Sequence, residues 1–227
     1  MIILAKSTVT VDTIVIKDEM QYDGVTVLTY QIEYPEFKSS VYKKSLIVIN
    51  KFYKDKALEY QKYIQTTLFQ MAVEQYLDDI ENGYPVRVFG AGDIFKITYN
   101  MVCILSLYFD RYEYTGGAHG ITIRSSQTWN LQTGQMIKLS ELFDCLYDYK
   151  RYIKDKVIEQ IKKDPDIYFD DYENLVEQTF NVNSFYCTPK GLVVYFQQYD
   201  IAPYASGIRE FLIPYNNCVK DPIKKCS

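Results

Sequence analysis

Residues 54–82, KDKALEYQKYIQTTLFQMAVEQYLDDIEN, place Ala57, Tyr60, Ile64, Leu68 and Met71 at spacings of three and four, and Tyr76 and Ile80 extend the stripe. Such spacing gathers side chains on one face only in a helix. It predicts an amphipathic helix from Lys54 to Glu81, with Gly83 at its C-terminal end and Pro85 preventing continuation. A helix with one apolar stripe must cover an apolar surface, and here that surface is a sheet.

Strand signals surround the helix. STVTVDTIVIKDE is rich in β-branched residues and predicts a strand from Thr8 to Lys17. Asp23-Gly24 signals a hairpin. VTVLTYQIEYP returns from it with mostly alternating apolar residues, and Pro35 ends that strand. SLIVIN, residues 45–50, reads as a third short strand, so the opening reads as an antiparallel meander. After the helix, VFGAGDIFKITYN and MVCILSLYFDRYEY are two strands with a break near Asn100, and GITIRSSQTW is another. NLQTGQ is a turn with Gly134 at positive φ. MIKL is short and extended, and Ser140 caps a helical ELFDCLYDY. Tyr149, Ile153, Val157 and Ile161 mark one further helix stopped by Pro165, and DDYENLVEQ marks another. SFYCTPKGLVVYFQQYD is a hairpin turning at Pro189-Lys190-Gly191, and IREFLIPY is a final strand.

Strands come in groups without strict alternation with helices. The fold class is therefore α+β, with antiparallel sheets, a long helix packed on the N-terminal meander, and two lobes. The expected division is a meander-plus-helix domain over 1–88 and an α+β domain over 89–227, with the boundary in the Gly- and Pro-rich stretch after Asn82.

Composition narrows function. The net charge of −4 lacks the basic footprint of a nucleic-acid binder. Lysines between Lys150 and Lys163 alternate with acids, as on a solvated helix face. No stretch approaches the roughly 20 apolar residues of a membrane span. MIILAKST has four apolar residues after Met1, too few for a signal-peptide core, so the chain is either cytoplasmic or has lost a leader or anchor. The 23 tyrosines suit half-buried strands, or a sugar- or protein-binding surface built on tyrosine platforms. Of the five cysteines, Cys103 and Cys187 read as buried thiols in apolar strands, and Cys218 and Cys226 are placed to close a short C-terminal loop. The odd count argues against an all-disulfide framework and fits a reducing compartment or an anaerobic source.

His119 is the only imidazole. Ser125 and Ser126 would lie roughly 20 Å away along a strand, and Ser206 follows Tyr204 where the nucleophile elbow needs glycine, so no serine triad is read. A single histidine and no CxxC leave no zinc set. The acidic pairs Asp78-Asp79 and Asp170-Asp171 are ordinary solvated or capping groups on helices. Gly90-Ala91-Gly92 lacks the spacing of a phosphate loop. No cofactor is expected. The chain reads as a non-enzyme, with a hydrolase acting through an unrecognised carboxylate site as the alternative.

Three segments carry a resemblance: YEYTGGAHG (112–120), WNLQTGQMIKLSELF (129–143) and YFQQYDIAPYASGIREFLIPY (195–215). In order and spacing they resemble the bacterial family of unknown function found at the extracellular C-terminus of RsiV-like anti-sigma factors and ahead of the catalytic domain in PdaC-like peptidoglycan deacetylases. Residues 7–85 resemble the companion domain that precedes it. The resemblance implies a two-lobed α+β fold without a catalytic role of its own, placed outside the cytoplasm. It also implies a sensor or binding module of the cell envelope, with c-type lysozyme or peptidoglycan as partner. The expected binding surface is a pair of loops. One holds Thr115, Gly116, Gly117, His119 and Gly120, with the glycines at backbone angles that other residues avoid; the other holds Tyr199, Asp200, Pro203 and Tyr204, with Asp200 accepting from the imidazole.

Overall fold

The computed structural model describes residues 9–145 and 148–226; the strand start expected at Thr8 and the apolar run after Met1 lie outside them. The fold is mixed α and β, with a six-stranded and a three-stranded sheet. It divides into two compact units that interleave in sequence, so no single cut at residue 88 separates them. The first comprises Thr10–Phe95 and Phe109–Ile123; the second comprises Val9, Lys96–Tyr108 and the chain from Arg124 onward.

In the first unit, β1 (Thr10–Tyr22) and β2 (Val25–Lys38) form an antiparallel hairpin. Asp23 and Gly24 both take positive φ, 48° and 76°, as the expected Asp-Gly turn requires. Pro35 does not end β2, which runs three residues further. β3 (Phe89–Met101) meets β2 along Leu28–Ile32, so Pro35 lies beyond the ladder between them.

SLIVIN is not a strand. It lies in α1 (Lys43–Tyr63), where Leu46, Ile49 and Tyr53 are buried while Ile47 and Val48 are exposed. That is a spacing of three and four, continuous with Ala57 and Tyr60, and the β-branched composition gives way to it. The meander is therefore a hairpin followed by a helical crossover, and β3 pairs parallel with β2. A π-helical turn, Ile64–Leu68, joins α1 to α2 (Phe69–Glu81). Its wider winding carries the stripe from Leu68 to Ala72, which is buried, and leaves Met71 and Ile80 exposed. The stripe packs on Leu28, Tyr30, Ile32, Phe89 and Ala91. Each such buried leucine or isoleucine contributes about 1.5–3 kcal/mol. Asp79 is not a solvated helix acid. It is fully buried and accepts from the Arg87 backbone at 3.0 Å, the Arg87 Nε at 2.9 Å and Gln75 at 3.1 Å. These bonds fasten the helix end to the segment that enters β3.

β4 (Ile104–Tyr114) and β5 (Ile121–Asn130) extend the sheet, and β6 (Gln135–Met136) closes it, in the order β1-β2-β3-β4-β5-β6. β3, β4 and β5 each contribute residues to both units. The break between β3 and β4 falls at Val102-Cys103 instead of Asn100. In the second unit, Leu139–Leu142 is a 3-10 turn, and Glu141 accepts from the Lys138 N–H at 2.7 Å; Ser140 caps nothing there. α3 (Tyr149–Ile161) buries Ile153, Val157 and Ile161 as their spacing predicts, and Asp148 caps it by accepting from the Lys150 N–H. α4 (Tyr172–Thr179) follows. β7 (Phe185–Thr188), β8 (Gly191–Phe196) and β9 (Arg209–Pro214) make an antiparallel three-stranded sheet, with every residue of β8 buried.

The cysteines pair differently from the sequence reading. Cys103 bonds to Cys226 and Cys145 to Cys218, while Cys187 is the buried free thiol. The odd count is one thiol left inside the core, not a sign against disulfides.

Candidate functional site

The tyrosine-glycine segment is held by one close approach. Of its three glycines only Gly116 has positive φ, at 84°. A Cβ on Gly116 would also press on the Arg87 Cβ at 3.3 Å. Gly117 has neither constraint, so the expectation of unusual angles at all three is corrected. Gly120 is required for a different reason: a Cβ there would overlap Cε2, Cζ and Oη of Tyr112. The outer edge of the tyrosine ring lies directly on the Gly120 backbone. Thr115, Gly117 and His119 are exposed, and His119 Nδ1 lies 3.3 Å from the Gly120 carbonyl oxygen.

Tyr112 is 42% exposed and forms one wall of an open groove of about 620 Å³ in the first unit. In β2, Tyr30 and Ile32 face the helix, so Thr29 and Gln31 face the other way; in β3, Phe89 and Ala91 face the helix, and Gly90 and Gly92 face away. The register aligns Lys17, Gln31 and Gly92 in one row and Glu19, Thr29 and Gly90 in the next. These six residues and Tyr112 line the groove. Two adjacent outward positions on β3 thus lack side chains, leaving a trough roughly 7 Å long between rows that stand about 10 Å apart on β2 and β4. Gln31 donates to Glu33 at 2.8 Å, which orients its amide on the open face. Alanine at Gly120 should push the Tyr112 ring off its seat. The expected result is altered chemical shifts for the Tyr112 ring with a melting temperature lowered by less than about 3 °C, since a ring edge moves more easily than backbone. Thermal melts and NMR of the variant check this.

Beneath the groove, on the helix side of the sheet, Arg111 bonds Asp93 at 2.9 Å and lies 3.7 Å over the Tyr60 ring. Burial raises the Asp93 carboxyl above its ordinary range, and the Arg111 charge opposes that rise. Burial likewise pushes the Tyr60 phenol up.

The second predicted loop belongs to the second unit. Tyr199 is exposed at φ 67°, and its ring lies 5.8 Å from that of Tyr204. The Asp200 carboxylate accepts the Gln197 N–H at 2.7 Å, and burial raises its pKa. Pro203 precedes a 3-10 turn at Tyr204–Ser206. Ile201 and Ala202 are buried, and Ser206 donates to the Ile167 carbonyl at 3.0 Å. The loop is therefore anchored architecture with Tyr199 at its surface.

Sequence reasoning missed Arg124. It is almost fully buried, ion-paired to Glu210, and its guanidinium lies 3.7 Å over Tyr108. Its N–H donates to Gln197 at 2.9 Å, and the Gln197 amide donates back to its carbonyl at 2.8 Å. An arginine within the strand pattern GITIRSSQTW was the available signal.

Among the described residues no cluster of three His, Cys, Asp or Glu side chains is placed to hold a metal. Nor, among the described residues, is any helix long and apolar enough to cross a membrane.

Residues 24–122 match the family model described as deacetylase PdaC, and residues 140–216 match that of a protein family of unknown function, DUF3298. The chain is 21% identical to peptidoglycan-N-acetylmuramic acid deacetylase PdaC of Bacillus subtilis, over 92% of this chain and 44% of that protein. It thus spans less than half the length of that relative. Two solved structures share the fold. A DUF3298 family member from Bacteroides fragilis has a TM-score of 0.74 at 21% identity, covering 98% of each chain. A DUF3298 family protein from Pseudomonas aeruginosa has a TM-score of 0.59 at 14% identity, covering 93% of this chain and 95% of its own.

Proposed function

We propose that this chain, which joins a PdaC-type segment to a DUF3298 segment, is a recognition module of the bacterial cell envelope that binds a wall component or a wall-directed protein and does no chemistry itself. The observation that carries the reading is the groove floored by Gly90 and Gly92 and walled by Tyr112, an open surface with polar side chains around an exposed aromatic ring. The relation to a peptidoglycan deacetylase supports a wall setting. Two disulfides support an oxidising compartment outside the cytoplasm over the reducing one read from the cysteine count.

The alternative, a hydrolase with paired carboxylates, needs two acids facing one cleft. Of the two carboxyls that burial raises, Asp93 lies on the helix side of the sheet, bonded to Arg111 and away from the groove, and Asp200 accepts the Gln197 N–H in its own loop. That placement favours binding.

Retention of the purified chain on bacterial wall sacculi, or on immobilised c-type lysozyme, is the expected result. Failure to be retained on either removes this reading.

A further inference from the structure

Gly90 and Gly92 are not needed by the fold. Neither has positive φ. A Cβ on Gly90 would meet nothing closer than the Tyr114 Cβ at 4.0 Å, and one on Gly92 would meet the Gln31 carbonyl at 3.5 Å, an ordinary contact. Glycine inside a strand lowers stability, because it loses more backbone freedom and packs nothing. Two such positions, both outward on β3 and both on the groove floor, are explained by what the missing side chains leave open.

Three features define what fits. β3 lies between β2 and β4, with its backbone hydrogen-bonded on both sides, so an added peptide strand has no edge to pair with. The ligand must be read by side chains and by stacking. Tyr112 offers a ring held against Gly120, and a ring face with negative electrostatic potential favours the C–H face of a flat, saturated ring. The flanking charges sum to one negative, Lys17 against Asp18 and Glu19, which disfavours an anion; Thr29 brings a hydroxyl, and Gln31 brings an amide that both donates and accepts. This set suits hydroxyls and acetamido groups and gives a polyanion no advantage.

Building on the wall-recognition reading, we infer that the groove is a subsite for a neutral glycan strand, with one hexopyranose ring stacked on Tyr112 over the bare floor at Gly90 and Gly92. The sugar ring takes the volume that side chains at 90 and 92 would fill.

The probe is chitotetraose, titrated into the full chain by calorimetry or by amide chemical shifts. Saturable binding is expected. Gly92→Val should weaken it at least about tenfold without lowering the melting temperature, because valine suits an open strand position. Tyr112→Ala should weaken it by a similar factor. Absence of saturable binding, or binding that Gly92→Val leaves intact, overturns the assignment. The two readings fail separately. If sacculi retain the wild type and Gly92→Val equally, the groove is not the site and wall recognition stands. If neither sacculi nor lysozyme retains the wild type, wall recognition itself fails. Lysozyme binding that Gly92→Val abolishes, with chitotetraose unbound, makes the groove a protein site and also overturns the glycan assignment.

Discussion

Serine in place of Cys226 should lower the melting temperature of the full chain by about 8–20 °C. The Cys103–Cys226 bond joins residues 123 positions apart, and closing a loop of that size removes about 4–5 kcal/mol of chain entropy from the unfolded state. Each kcal/mol corresponds to about 2–4 °C in a chain of this length. The native geometry survives the change, because other bonds hold the last segment. The Tyr99 hydroxyl donates to Asp221 at 2.9 Å, and Asn130 donates to the Lys225 carbonyl at 3.2 Å. The released Cys103 stays buried as a small apolar side chain. The loss therefore comes through the unfolded chain, and wild type melted with reductant should show at least as large a drop, since Cys145–Cys218 also opens. A shift under 2 °C for Cys226→Ser would show that the C-terminal segment is already fully held without the bond. Cys187 offers no replacement partner: burial pushes its thiol up to about 12.

The parts of this fold that sequence discloses are those decided by neighbours in the chain. Asp23-Gly24 needs only its own backbone to turn the first hairpin. Ile153, Val157 and Ile161 need only the helical repeat to declare one face. SLIVIN defeats the same approach because its composition favours a strand while its spacing continues a helix that begins eleven residues before the expected start. The parallel pairing of β2 with β3 depends on where the helix returns the chain, over more than fifty residues. The disulfides join positions 123 and 73 residues apart, and no local feature of Cys103 or Cys145 marks its partner.

The site was legible by location more than by role. The segment from Tyr112 to Gly120 stands out for its glycines, yet attention falls on His119, the rare residue. The contact that organises the segment is between its first and last residues, Tyr112 and Gly120, and it appears only once the strand brings the ring over the loop. Gly90 and Gly92 were visible as a failed phosphate loop. Their meaning comes from period two: glycines two apart in a strand strip one face of it. Asp93 and Arg111 sat in plain strands, and neither charge shows in sequence that it points inward.

That inward pair carries the other large effect. Arg111→Met should destabilise the first unit by about 2–4 kcal/mol at pH 7, because it strips the partner from a buried carboxylate. Arg111 is 38% exposed, so the loss falls short of that for a fully buried pair. Methionine keeps apolar contact with Tyr60 while removing the cation over its ring. The pH dependence identifies the cause. Burial holds the Asp93 carboxyl above its unfolded value of about 4, so over the window just above pH 4 the folded state binds more protons than the unfolded state. Stability from this group therefore falls as pH rises through that window. Without Arg111 the carboxyl rises further, the window widens upward, and the variant loses more at pH 7 than at pH 4. Urea unfolding of wild type and variant at the two pH values measures the difference. Asp93→Asn added to Arg111→Met should recover part of the loss at pH 7, since the buried group no longer ionises. Equal losses at both pH values would place the cost in lost packing over Tyr60 instead of in the charge on Asp93.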